Sequence, residues 1–220
     1  MKTVKLLTVF IVMGWILSVP CAMANQDAPA DVQQAAAQGL QPFLNKIPVI
    51  SLEEYGFAPG DSLDTASLGD PFLVHMITPD TLEQYRTGLA VTSLLTPTTM
   101  WYFPVLIAGQ SRAILVVDRL DNKWQAVSLG YAGLAQELGT LNRQWKASQG
   151  YHPMLIVVFQ AKQYLFTVPE KDSQNLTRLV TQKTMATGKP ADDYATLGTV
   201  ADVIDQLKPV VRNALKAPNR

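Results

Sequence analysis

Three apolar stretches, residues 100–107, 113–118 and 123–129, follow one another with only short segments between them. Those segments are Ala108-Gly109-Gln110-Ser111 and Leu120-Asp121-Asn122, both rich in residues that tolerate tight turns. A parallel pair of strands needs a crossover of a dozen or more residues, and there is no room for one here. This constraint predicts a three-stranded antiparallel meander, and an antiparallel sheet built around it.

The flanking segments extend the pattern. In residues 72–78, Phe72, Val74 and Met76 alternate with Leu73, His75 and Ile77, so both faces are apolar and the strand is expected at the centre of the sheet. Thr78-Pro79-Asp80 reads as the start of a short helix with Leu82 and Tyr85. Residues 131–146 carry Tyr131, Leu134, Ala135, Leu138, Leu141 and Trp145 at helical spacing. Residues 154–160 and 163–168 read as a hairpin. Near the N-terminus, Asp31 is the expected cap of a helix bearing Val32, Ala36, Leu40, Phe43 and Ile47, bent by Pro42 and ended by Pro48. Residues 51–70 are mixed, with a Pro59-Gly60 turn and a helical turn from Asp61. A helix from Ser173 carries Leu176, Leu179 and Val180; a loop follows at Thr187-Gly188-Lys189-Pro190, then a last helix from about Thr199, kinked at Pro209. The expected class is α+β: an antiparallel sheet of about five to six strands with helices packed around it. One domain is expected over residues 25–220, with a helical or irregular part at 25–70, the sheet core at 71–170 and C-terminal helices at 171–220.

Residues 1–24 read as a cleaved signal peptide, with Lys2 and Lys5 before an apolar run of 14 residues and Ala22-Met23-Ala24 as the cleavage signal. An uncleaved anchor and acylation at Cys21 are the alternatives; Pro20, directly before that cysteine, stands where a small residue is expected. The whole chain has 18 Lys+Arg against 18 Asp+Glu. Cleavage removes two lysines and the only cysteine, leaving a slightly acidic, cysteine-free chain that must rely on an ordinary core. A secreted or periplasmic location is expected. The neutral, interleaved charge lacks the footprint of a nucleic-acid binder. Membrane contact is expected only through an uncleaved signal peptide, and no cofactor and no metal are expected.

Ala126-Val127-Ser128-Leu129-Gly130 matches the spacing of a nucleophile elbow, a sharp strand-to-helix turn that exposes a serine. The only histidine after Ser128 is His152, so the triad order is poorly served. The blander expectation is that Ser128 and Gly130 end a strand and cap the next helix. Gly130 and Gly133 could also bring an anion close to helix N-terminal amides. His75 is expected as a hydrogen-bonded core residue. Trp101, Phe103 and Val105 share one strand face and Tyr102 the other, with Trp124 near part of this group. Pro104 cannot donate to a ladder, which suggests an edge strand, or a bulge, where another chain could dock.

The segment from Trp101-Tyr102-Phe103-Pro104-Val105 through Ala113-Ile114-Leu115-Val116-Val117 to Trp124 resembles the β-hairpins of exported PepSY and PAS-type sensor modules. The resemblance is one of pattern and assigns no residue a role. The expected function is an exported, non-catalytic binding or interaction module with an unidentified protein or small-molecule partner. Its candidate contact residues are Trp101, Tyr102, Trp124, Ser128, Gly130 and Gly133. An inhibitor or propeptide-like partner of a secreted peptidase is the alternative, with a cofactor-free serine hydrolase centred on Ser128 behind it.

Overall fold

The computed structural model describes residues 28–89, 91–149, 151, 153–167, 178–181 and 198–216. The signal peptide, its cleavage site, His152, Ser173, Leu176 and the loop at 187–190 all lie outside these residues.

In chain order the helices and strands are α1 (Ala30–Leu44), β1 (Ser67–Leu68), β2 (Phe72–Ile77), α2 (Pro79–Gln84), β3 (Leu95–Ile107), β4 (Gln110–Leu120), β5 (Lys123–Gly130), α3 (Ala132–Gln144), β6 (Met154–Val158), β7 (Gln163–Thr167), β8 (Arg178–Thr181), β9 (Gly198–Thr199) and α4 (Val200–Lys216). The strands form one sheet in the order β5-β4-β3-β2-β6-β7-β8-β9, with β1 pairing beside β3. Seven of them are four residues or longer. The meander forms as expected. Both of its hairpins close on two residues with positive φ, Ala108 (48°) with Gly109 (74°) and Asp121 (48°) with Asn122 (61°). That is the turn geometry whose twist matches paired strands.

Several expectations need correction. The sheet is larger than expected and is not wholly antiparallel. β2 pairs parallel with β6, Val74 beside Leu155, and no hairpin constrains two strands so far apart in sequence. β3 is not an edge strand: β4 lies on one side of it and β2 with β1 on the other. Pro104 is tolerated because its missing N–H faces the break between β1 and β2, where its carbonyl accepts from Gly69 N at 2.8 Å. Leu179 and Val180 lie on β8, paired with β7, not on a helix. α1 starts after Pro29 with no side-chain cap, so Asp31 sits inside its first turn, and the helix ends at Leu44, before Ile47. The helical turn near Asp61 begins at Leu63. α2 does carry the predicted cap: the Thr78 hydroxyl accepts from Thr81 N, and Thr81 reaches back to Thr78 N.

The sheet is covered on both faces. On one face α1 packs Val32, Ala36, Leu40 and Leu44 against Trp101, Phe103, Val105, Leu115 and Val117. Farther along the same face, α4 sets Val203, Ile204, Leu207 and Val211 against Ile156, Val158 and Leu165. The opposite face carries α3, whose Leu134, Ala135, Leu138 and Leu141 meet Phe72, Val74, Tyr102, Ile114 and Val116. α1 approaches β5 most closely at Gly39, where a Cβ would overlap the Ala126 methyl. Gly39→Ala is therefore expected to destabilise. Helix propensity gains about 1 kcal/mol, while overpacking costs about 1–3 kcal/mol. Urea denaturation should show a net loss, and adding Ala126→Gly should recover it; a stabilised single variant would contradict the packing.

Candidate functional site

The candidate residues separate by face. Trp101 is buried under α1 with 4% of its surface exposed. Trp124 packs half-buried against the same cluster, with the Arg119 guanidinium 6.0 Å from its ring centre. Tyr102 points to the opposite face, in a row with Val116 of β4 and Ser128 of β5. Gly130 and Gly133 follow at the end of β5 and in the first turn of α3. The structure thus groups Tyr102, Ser128, Gly130 and Gly133 on the α3 face and leaves Trp101 and Trp124 on the other.

Ser128 does not sit on a nucleophile elbow. It lies inside β5, paired antiparallel with Val116 beside a bulge that makes room for Val127. His75 belongs to the other face, since it alternates with Val74, which packs on the α3 side. Its Nδ1 lies 3.2 Å from the Leu73 carbonyl, and burial lowers its pKa. Among the described residues no group of three His, Cys, Asp or Glu side chains is placed to hold a metal. No helix among them is long and apolar enough to cross a membrane.

The unusual geometry belongs to Tyr131, which the helical spacing had assigned to the buried face of α3. It is instead the residue before that helix, with φ 57° and ψ 45°. This left-handed conformation is costly for a bulky side chain. Gly130, directly before it, has φ 157°, a region that glycine alone enters freely. Tyr131 also provides no side-chain cap, although it occupies the capping position. What the strained backbone achieves is a placement. The Tyr131 ring stacks on Tyr102, with centres 6.1 Å apart and planes 19° apart, and 47% of the Tyr131 surface stays exposed.

Tyr102 is in turn fixed from below. Its hydroxyl is hydrogen-bonded to that of Tyr164 on β7, so two tyrosines lie toward one another over β2 and β6. Burial pushes the Tyr102 phenol well above its usual range, and Tyr164, Tyr131 and Asp118 add to the shift. Burial raises Tyr164 as well, while its hydrogen bond with Tyr102 opposes the rise. Both phenols therefore stay protonated at physiological pH.

Compared with known proteins, no family model, no curated relative and no solved structure matches this chain.

The rest of the shelf follows from a second irregularity. Where Leu73 meets Trp101 and His75 meets Pro97, β3 holds extra residues opposite Val74. Thr98 Oγ1 repairs the gap by donating to Val74 O (2.7 Å) and accepting from Met100 N (3.1 Å). Thr99 Oγ1 donates to Asp118 Oδ1 at 2.6 Å, which also accepts from Arg119 N. Met100, Asp118, Val127 and Ser128 are all only half-buried. Gly133 has open space where a Cβ would sit, so close helix packing is not the reason for glycine there.

Proposed function

We propose that the mature chain is an exported binding module whose ligand rests on the Tyr131 ring, beside Ser128 and Gly133. The observation that carries this reading is the conformation of Tyr131. Strained backbone persists only where its surroundings over-determine it, and such positions gather at ligand sites. Here the strain holds an exposed ring against a buried, hydrogen-bonded tyrosine pair, which makes a rigid platform for a planar or apolar group. Ser128 adds a hydroxyl beside it. No proton-transfer step is assigned, because no base is placed beside Ser128 among the described residues.

The test is native mass spectrometry of the protein purified from its exporting cell. Wild type should retain a small molecule or peptide, and Tyr131→Ala should lose at least about nine-tenths of the occupancy, a penalty near 1.4 kcal/mol. Failure of wild type to retain anything, or equal retention by the variant, rejects the proposal. A companion measurement checks the strain itself. Asparagine tolerates the left-handed region and caps helices well, so Tyr131→Asn should be about 1 kcal/mol more stable than Tyr131→Ala in urea. Equal stability of the two variants would mean that the backbone is not strained.

A further inference from the structure

We infer that the mature chain pairs with a second copy of itself through the open edge of β5, on a two-fold axis at Gln125 that joins the two sheets into one. Among the described residues no strand lies on the outer side of β5. The two-residue turn at Asp121-Asn122 makes Leu120 and Lys123 the first hydrogen-bonded pair of the hairpin. Hydrogen-bonded and non-bonded pairs alternate along an antiparallel ladder, so Trp124 and Ala126 direct their N–H and C=O groups outward. At Val127 a bulge shifts this alternation, and the regular part of the edge ends there.

So short an edge fixes the register. An axis at Ala126 would set Trp124 against Ser128 across the bulge, where the outward groups no longer match. An axis at Trp124 would press the two indoles together and run Ala126 onto the turn at Asn122. With the axis at Gln125, Trp124 faces Ala126 of the partner subunit, and Ala126 faces Trp124 of the partner subunit. Each pair exchanges both of its backbone hydrogen bonds. The side chains of Trp124 and Ala126 share the α1 face, so each indole lies beside a methyl group. A foreign strand would have to match this alternation of large and small; a second copy supplies it by symmetry.

A two-fold axis sets each nearby charge against its own like, so a self-pairing surface must be neutral at its centre. Gln125 is exposed and uncharged. Asp31 is the single charged residue of α1, whose exposed Gln33, Gln34, Ala37 and Gln38 are neutral. The two cations of this region stand clear of the axis. Arg119 belongs to β4, inward of the Trp124 ring it approaches. Lys123 is the one charge of β5, and this register keeps it about 14 Å along the strand from its copy, farther than a Debye length of about 8 Å. α1 packs on both β5 and β4. Strands are about 4.8 Å apart, so two helices seated between β4 and β5 come about 10 Å from one another across the axis. That is the spacing of packed helices.

The test is sedimentation of the full mature protein across a dilution series, joined to amide exchange and single-cysteine variants. Wild type should dimerise, and exchange at Trp124 and Ala126 should slow at least about tenfold as the dimer forms. The mature chain has no cysteine of its own. Gln125 would lie about 4.5 Å from its copy between Cα atoms, within disulfide reach. Gln125→Cys should therefore oxidise to a covalent dimer, and Lys123→Cys should not. Gln125→Lys changes an exposed side chain, so the fold should survive while like charges across the axis weaken the dimer at least about tenfold. A monomer at every concentration overturns the inference. So does a dimer in which Trp124 and Ala126 still exchange freely, or in which Lys123→Cys cross-links as readily as Gln125→Cys. Protection of these amides in the monomer by another polypeptide also overturns it, in favour of a foreign strand.

Discussion

Gly56→Ala is expected to lower the free energy of unfolding by about 3 kcal/mol. Two costs add. Gly56 has φ +89°, where an L side chain clashes with its own backbone, at about 1–2 kcal/mol. A Cβ there would also overlap the Arg112 carbonyl oxygen and the Ala132 methyl. Neither neighbour yields easily. Arg112 is the extra residue of a β4 bulge but is tied down by its ion pair with Asp61, and Ala132 opens α3. Such overpacking adds about 1–3 kcal/mol. Gly60 is the internal control. Its φ is +93°, but nothing lies within 4 Å of a Cβ built there. Gly60→Ala should therefore show the conformational cost alone. Urea midpoints at unchanged slope measure both variants; equal losses would remove the steric part of the argument.

Arg112→Met is expected to cost about 3 kcal/mol, because it strands a mostly buried carboxylate. Arg112 Nε lies 2.9 Å from Asp61 Oδ2, and Nη2 donates to Oδ1 at 3.1 Å. The Asp61 side chain is only 10% exposed, and without Arg112 it keeps the Ala58 N–H as a partner, at 2.7 Å. Replacing both members, as Asp61→Leu with Arg112→Met, should recover most of the loss, since an apolar pair of similar volume leaves no unpaired charge. A double variant no more stable than the single one would show that the two residues matter for separate reasons. Gly56 and Asp61 act on the same joint: together they fasten residues 56–61 to the start of β4 and the start of α3.

Much of this architecture was legible because it rests on local chemistry. Short turns with Gly, Asn and Asp dictated the meander, and Thr78-Pro79-Asp80 dictated the start of α2. The double apolar alternation of residues 72–77 placed β2 inside the sheet. What stayed hidden depended on distant partners. Nothing local distinguishes a strand at Leu179-Val180 from a helical turn; β7 decides it. The missing donor of Pro104 suggested an edge or a bulge; the strand is internal, the pairing with β4 slips at Val105/Leu106 next to the proline, and a break in the neighbouring strand leaves room for the missing N–H. The site divided along the same line. Ser128, Gly130 and Gly133 drew notice through turn chemistry, and Tyr102 through its aromatic run. Tyr131 fitted helical spacing and so passed as core, although the preceding glycine was a signal that the chain turns there. Tyr164 alternated like any buried strand residue, and only the order of strands brings it to Tyr102.

The single parallel pairing has a consequence for the time course of folding. Each hairpin of the meander closes over two residues, an event of microseconds for isolated hairpins. The β2–β6 junction instead joins Val74 to Leu155, so its closure waits for a loop of some eighty residues to be organised. During synthesis, β2 leaves the ribosome long before its second neighbour exists, and one of its two edges stays uncovered throughout that interval. Residues 74–76 thus present an unpaired edge in the nascent chain until β6 arrives, and completion of the sheet removes it.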